Sequence, residues 1–308
     1  MAVSQRPASA SAIAAARLAT IRAAREVVPS DPNLSARWHK HGVPSPFSRW
    51  NYHPEYEVHL ITFGTGRYIV GDRIDTFSAG QLTLVGSNLP HHWISDLEPG
   101  ETIPDRDVVF QFHHPQWINR CREVLPELSD VEPLLNKSAR ALEFTGRTAS
   151  EGARELELIG TTTGAERLQH IFGLFGILAR APASEHQTLA KAWLPPLDDQ
   201  YAADIIDRAF GYILDNLVGD VRLSVAADLI GMSESAFSKY FKRITGQTFS
   251  DTVRKLRLAQ AAKLLKETNL LVSSIYQRVG YTNLSNFNRQ FRAEHGLTPR
   301  EFRSRTRS

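Results

Sequence analysis

The feature that most constrains this chain is an internal repeat in its C-terminal third. The segment Gly231 to Thr248 (GMSESAFSKYFKRITGQT) realigns with Gly280 to Thr298 (GYTNLSNFNRQFRAEHGLT) once one residue near Leu284 is inserted. Gly231 then pairs with Gly280, Ser233 with Thr282, Phe237 with Phe287, Lys239 with Arg289, Phe241 with Phe291, Lys242 with Arg292 and Gly246 with Gly296. Each copy follows a short apolar-periodic segment, Ser224 to Ile230 or Val272 to Val279, so each reads as helix, glycine-containing turn, helix. The pattern predicts helices over 201–217, 224–230, 234–245, 249–267, 272–279, 283–295 and 299–304. Helix starts are marked by Thr248 with Asp251 three residues on, and by Thr298 followed by Pro299 and Glu301.

Charge separates this region from the rest. Residues 1–220 carry 20 Lys and Arg against 27 Asp and Glu (net −7), and residues 221–308 carry 16 against 6 (net +10), which the whole-chain value of +3 conceals. A basic domain with two matched helix-turn-helix units points to a polyanion, and specifically to double-stranded DNA. The helix joining the units spans roughly 19 residues, or about 28 Å, close enough to the ~34 Å helical turn for both second helices to enter successive major grooves. Phe237, Phe241, Phe287 and Phe291 should face the core. The opposite faces then present Ser235, Ser238, Lys239 and Lys242 in the first unit, and Ser285, Asn286, Asn288, Arg289 and Arg292 in the second. These residue types suit guanine (Arg, Lys), adenine (Asn) and adaptable base or phosphate contacts (Ser).

The stretches ADLIGMS, FSKYFKRITG, KLRLAQAAKLL, VGYTNLSNFNRQFR and GLTPREFR make residues 201–308 resemble the DNA-binding domain of the arabinose-regulator (AraC) family of bacterial transcription factors. Two departures are Tyr276, where the family usually has a small alanine, and Leu284, an apolar residue entering the second recognition helix. The resemblance implies a promoter-binding regulator, an activator working with RNA polymerase as a homodimer.

Upstream, Trp50 to Phe112 alternates short strand-like runs (YEVHLITF, RYIV, RIDTF, QLTLV, RDVVFQF) with turn signals such as Gly64-Thr65-Gly66, Gly71-Asp72 and Gly86-Ser87-Asn88. This is the pattern of antiparallel strands in a small sandwich or barrel. In YEVHLITF the period of two sends Glu57, His59, Ile61 and Phe63 to one face, so two polar groups share an otherwise apolar surface. From Trp117 to Arg180 the period becomes helical, ending in a stripe of Leu168, Ile171, Phe172, Phe175, Leu178 and Ala179 that must be buried against the barrel, a second helix or another subunit.

The segments HPEYE (His53 to Glu57) and PHHW (Pro90 to Trp93) resemble the cupin-type effector domain of the same family. The fold class expected is therefore α+β with two domains: a cupin-like β-barrel with a helical appendage, then an all-α domain of two helix-turn-helix units joined by a long helix. The boundaries are 1–45 for an N-terminal extension, partly helical or disordered, 46–180 for the barrel, 181–200 for a linker and 201–308 for the DNA-binding domain. Trp50, His53, Glu57, His59, His91 and Trp93 are the residues expected to line a small-molecule pocket, supplying stacking faces and hydrogen bonds. The resemblance points to a sugar or another polyhydroxylated metabolite as effector. Enzymatic cupins hold a metal with a further histidine where this chain has Asn51, so no cofactor is expected, although His53, Glu57 and His91 could still hold zinc or iron with open positions.

Other classes are disfavoured. The longest strongly apolar stretch, Ile171 to Ala179, is far shorter than the about 20 residues a membrane-spanning helix requires, so no membrane association is expected. The single cysteine, Cys121, fits a reducing compartment and a cytoplasmic location. Met1 to Arg25, rich in Ala, Ser and Arg, has the composition of a transit peptide or of a simple frayed extension. No nucleophile-elbow pattern or phosphate-binding loop is present, so the protein is not expected to be an enzyme. The rivals are a cupin-like metal-dependent enzyme fused to a nucleic-acid-binding module, and an architectural DNA binder whose barrel senses nothing.

Overall fold

The computed structural model describes residue 28 and residues 33–45, 49–113, 118–191 and 200–306. Residues 1–27 of the expected extension and 192–199 of the expected linker lie outside the described residues.

Among the described residues, nine strands form two antiparallel sheets. The larger has the order β1-β7-β2-β5-β8-β9 and is built from β1 (Arg37–Val43), β2 (Tyr56–Ile61), β5 (Leu82–Val85), β7 (Ile103–Phe112), β8 (Leu142–Phe144) and β9 (His186–Thr188). The smaller has the order β4-β3-β6, from β3 (Thr65–Val70), β4 (Arg73–Ser78) and β6 (His91–Ser95). The barrel expected from sequence is thus an open two-sheet sandwich. The described strands leave β1, β9, β4 and β6 as sheet edges, and an isolated bridge between Asn51 and His91 ties the loop before β2 to β6.

The period of two decides what each face of the large sheet buries. Val58 and Leu60 of β2, Leu82 and Leu84 of β5, and Val108, Phe110 and Phe112 of β7 point to one side. There they meet the helical layer: α1 (Ile118–Arg122), α2 (Val131–Lys137), α3 (Gly146–Thr161) and α4 (Gly164–Ala179). Ile171, Leu174, Phe175 and Leu178 of α4 enter this core, whereas Leu168 of the expected stripe is 39% exposed and Phe172 only partly buried. The stripe is therefore intradomain core, rotated slightly from the expected face. Trp38 of β1 is fixed here too, donating its indole N–H to the carbonyl of Leu156 at 2.7 Å and lying flat against Gly160, where a Cβ would come within 2.3 Å of the ring.

Two domain boundaries move. Strand β1 lies inside the expected 1–45 extension, because Arg37-Trp38-His39-Lys40-His41 alternates in facing and pairs along β7 from Arg37↔Gln111 to His41↔Asp107. At the other end, residues 181–191 are part of the fold: β9 pairs with β8, and the Glu185 carboxylate accepts from the Thr148 backbone N–H at 2.8 Å and its hydroxyl at 2.7 Å, capping the first turn of α3.

The C-terminal domain follows the predicted helices closely: α5 (Gln200–Asp215), α6 (Leu223–Ile230), α7 (Glu234–Thr245), α8 (Phe249–Glu267), α9 (Val272–Arg278), α10 (Leu284–His295) and α11 (Pro299–Thr306). Gly231 and Gly280 make the two turns at φ 77° and 85°, in the left-handed region that glycine adopts without a Cβ penalty. Phe237 and Phe241, and likewise Phe287 and Phe291, are fully buried at ring separations of 5.7 Å in both units.

The two domains share a core. Trp50 and Tyr52 of the loop before β2, with Ile69 and Ile74 of the small sheet, pack among Ile206, Phe210, Phe241 and Phe249. The Trp50 backbone N–H donates to Asp207 at 3.0 Å, the Lys255 ammonium donates to the Asp72 carbonyl at 2.9 Å, and Lys263 pairs with Asp96 at 2.5 Å. Helix α8 lies across β4 and touches β3.

Because Phe241 is buried where the first helix-turn-helix unit meets this shared core, Phe241→Ala should destabilise the chain by about 3–5 kcal/mol. A urea melt of the full chain should show it, and the loss should exceed that of Leu284→Ala, whose side chain is 37% exposed.

Candidate nucleic-acid interface and sensor site

The DNA-facing surface is set by caps and by the aromatic pairs behind it. In the first unit the Ser233 hydroxyl caps α7 by accepting from the Ala236 N–H at 3.3 Å. In the second, the inserted residue moves the cap one position on: Asn283, not Thr282, accepts from the Asn286 N–H at 2.9 Å. With the phenylalanines inward, Ser235, Lys239, Lys242, Ser285, Arg289 and Arg292 are exposed and Ser238, Asn286 and Asn288 half-buried on the outer faces. All nine residues expected to contact DNA therefore stand on the two second helices, away from the aromatic core.

Hydrogen bonds separate structural from available cations. Arg257 donates to the carbonyls of Leu217 and Gly219, Arg303 to those of Leu265 and Leu270, and Arg254 pairs with Glu294 at 2.7 Å. These positive charges hold the domain together. Arg289, by contrast, is braced from its own helix: Asn286 Oδ1 accepts from its guanidinium at 2.8 Å and from Gln290 Nε2 at 3.2 Å. Asn286 Oδ1 is thus shared between two side chains of its own helix. Tyr276, the departure noted above, is packed beside Phe287 with ring centroids 6.5 Å apart.

A second site lies between the two sheets. On the inner face of the large sheet stand Arg37, His39 and His41 of β1, Asp107 and Gln111 of β7, Glu57 and His59 of β2 and Thr83 of β5, as the pairing registers dictate. Asp107, fully buried, is met by His41 at 3.0 Å, by His59 at 3.3 Å and by Arg106, which also donates to the Trp93 carbonyl and the Ser95 hydroxyl of the opposite sheet. Glu57, also buried, is met by His53 Nε2 at 3.1 Å and Gln111 Nε2 at 3.0 Å, with His91 Nε2 at 3.9 Å. Trp93 lies tilted against His59, ring centroids 4.0 Å apart, and edge-on to His91 at 5.6 Å.

Five of the six residues expected to line the pocket, His53, Glu57, His59, His91 and Trp93, are therefore brought together. Trp50 is not: its ring is in the interdomain core, 6.2 Å from that of Phe210. Sequence reasoning missed Arg37, His39, His41, Thr83, Asp107 and Gln111. The alternation in RWHKHGV was the available signal, but assigning 1–45 to an extension hid it.

The electrostatics of the site favour ionised acids. Burial would raise Glu57, but the His53 hydrogen bond and the nearby His91, His53 and His59 charges outweigh it and hold the carboxyl well below its usual range. Asp107 is likewise lowered, burial being outweighed by His59 and by hydrogen bonds from His41, His59 and Arg106. His91 is pushed down to about 4, chiefly by burial and against the pull of Glu57, and His39 to about 4 by burial and by Arg37.

Against known proteins, residues 226–305 match a family model described as a helix-turn-helix domain. The RCS-specific HTH-type transcriptional activator RclR of Escherichia coli K12 is 37% identical over 81 residues, 26% of this chain and 28% of RclR, so the chain matches under a third of that relative's length. The transcriptional regulatory protein YesN of Bacillus subtilis is 34% identical over 273 residues, covering 81% of this chain and 74% of YesN. The chain belongs to the AraC family of transcriptional regulators. Among solved structures, a probable AraC family regulator from Rhodopseudomonas palustris aligns at a TM-score of 0.32 and 26% identity, over 34% of this chain and 99% of that one. As an AraC-family member the chain carries a DNA-binding helix-turn-helix domain, and no helix among its described residues is long and apolar enough to cross a membrane.

The lowered groups give a pH signature. Between pH 6.5 and 4 the unfolded chain binds protons that the folded His91 and His39 refuse, so stability rises with pH there and is lost on acidification. Lower still, the depressed Glu57 and Asp107 continue the loss, since their contribution is present above their unfolded values and disappears as they protonate. For His91 a fall from 6.5 to about 4 corresponds to roughly 3 kcal/mol. By pH 5.0, still above the folded value of His91, about 2 kcal/mol of this should be lost relative to pH 7.5, a difference that denaturant midpoints should show and His91→Asn should flatten.

Proposed function

We propose that this chain is an effector-controlled transcription activator: its two recognition helices read promoter DNA, and its sandwich takes a small, neutral, hydroxyl-rich molecule. The observation that carries the sensor reading is the buried polar face of the large sheet. Among the described residues His39 Nδ1, His59 Nδ1 and Thr83 Oγ1 are buried and without a hydrogen-bond partner, and a buried polar atom left so costs about 1–3 kcal/mol. A bound molecule with several hydroxyls would satisfy them while Trp93 covers one of its faces. Two ionised carboxylates at the same place disfavour an anion.

The route from sensor to DNA runs through the small sheet. Trp93 is on β6, β6 pairs with β3, β3 with β4, and α8 rests on β4. A ligand that shifts Trp93 would bias the seat of α8 and hence the placement of α7 and α10, which is a population shift between two arrangements. A homodimer fits this scheme, with Leu168 and Phe172 on the outer side of α4 as contact candidates, and RNA polymerase is the partner an activator needs.

Three measurements test this reading. Arg289→Ala should weaken a specific site by about 1–3 kcal/mol and relax one base position, whereas Lys242→Ala should weaken all sequences alike and lower the salt slope by about one. Equal loss on specific and random duplexes for Arg289→Ala in a competition titration would remove it from base readout. A thermal-shift screen of the full chain against sugars and polyols should find a saturable stabiliser whose effect disappears in His59→Ala. If no compound shifts the melting point, and reporter output is unchanged by His59→Ala, the sandwich is not a sensor.

A further inference from the structure

The two second helices are equally long from cap to cap. Helix α7 follows the Ser233 cap and ends at Gly246, and α10 follows the Asn283 cap and ends at Gly296, both glycines being left-handed at φ 73° and 72°. Each position of α7 therefore corresponds to the one 50 residues further on in α10, and the inserted residue falls in the turn between Gly280 and Asn283. In this register the phenylalanines coincide, Ser235 matches Ser285 and Lys239 matches Arg289. The leading position differs: Glu234 in the first unit is Leu284 in the second. An acid at the start of a helix is favoured by the macrodipole, and α10 has none in its first turn. Leu284 also contributes nothing to the aromatic core. It is 37% exposed and joins none of the hydrophobic clusters of the described residues, whereas Phe287, three positions on, is fully buried. It stands one turn ahead of Asn288, on the ridge of positions four apart that borders the outer face. Neither capping nor packing accounts for an apolar side chain at this end of the helix.

We propose that Leu284 selects a thymine through its 5-methyl group. The inference rests on the reading above that α10 enters a major groove, where the first residues of a recognition helix meet the base edges. Of the four bases, thymine alone presents a methyl group there. Packing Leu284 against that methyl removes both from water. Against a purine N7 or a cytosine amino group the same side chain displaces water and returns no hydrogen bond, which penalises the other bases. Glu234, at the matching position of the first unit, carries a carboxylate that accepts from a cytosine amino group and gains nothing from a methyl. The two units are therefore unequal at the base each helix meets first, although their phenylalanines and caps are equivalent.

The test starts from a duplex that the full-length protein selects from a random library, each thymine of which is then replaced in turn by deoxyuridine, which lacks only the methyl. For the unaltered protein one replacement should weaken binding about three- to tenfold, the effect of exposing one or two methyl-sized groups. In Leu284→Ala the affinity for the thymine duplex should fall by a similar factor, and that same replacement should then make no difference. Replacements elsewhere should cost the same in both proteins. Circular dichroism and an unchanged affinity for random duplex verify that the helix and its phosphate contacts are intact in the variant. If Leu284→Ala keeps the thymine-to-uracil ratio of the unaltered protein at every position, or if the unaltered protein is indifferent to every replacement, the proposal is overturned while sequence-specific binding stands. A library that yields no preferred duplex removes that reading and the inference with it.

Discussion

Burying a carboxylate costs several kcal/mol unless its charge is met inside the protein, and the N-terminal sandwich does this twice on a single sheet face. Asp107 is met by Arg106, His41 and His59, and Glu57 by His53 and Gln111. Much of the rest of the sandwich is arranged around these two acids. Arg106, drawn to Asp107, reaches on to β6 and ties the two sheets together, while the loop from Trp50 to Glu55 is held in place by the bridge to His91 that brings His53 to Glu57. An apolar face would have been cheaper for stability alone.

The second organising contact is the core shared between the domains. Trp50 and Phe210 pack together, and Lys255 and Lys263 of α8 reach Asp72 and Asp96 of the sandwich. A DNA-binding domain seated this way has its long connecting helix on the small sheet and the polar faces of its second helices outward. Any change between the sheets that moves β6 has a packed path to α8, because close-packed elements transmit small displacements rather than absorb them.

The helical domain was almost fully legible from sequence. Its caps, turn glycines and phenylalanine spacing are local signals, and the seven helices fall within one or two residues of expectation. The sandwich was legible in kind but not in extent. Alternation in YEVHLITF divides Glu57 and His59 from Val58 and Leu60, whereas β1 and β9 carry too little local signal to stand out from an extension and a linker. Short edge strands become strands only through their partners, β7 for one and β8 for the other.

The sequence by itself determined the two helix-turn-helix units, the polar outer faces of their second helices and the concentration of histidines and acids near the first strands, because each depends on periodicity and local hydrogen bonding. Tertiary structure alone decided that Trp50 belongs to the interdomain core, that Asp107 and Glu57 share a face 50 residues apart in the chain, and that His91 meets His53 across them. Strand order and domain docking bring those residues together, and neither is written in the spacing along the chain.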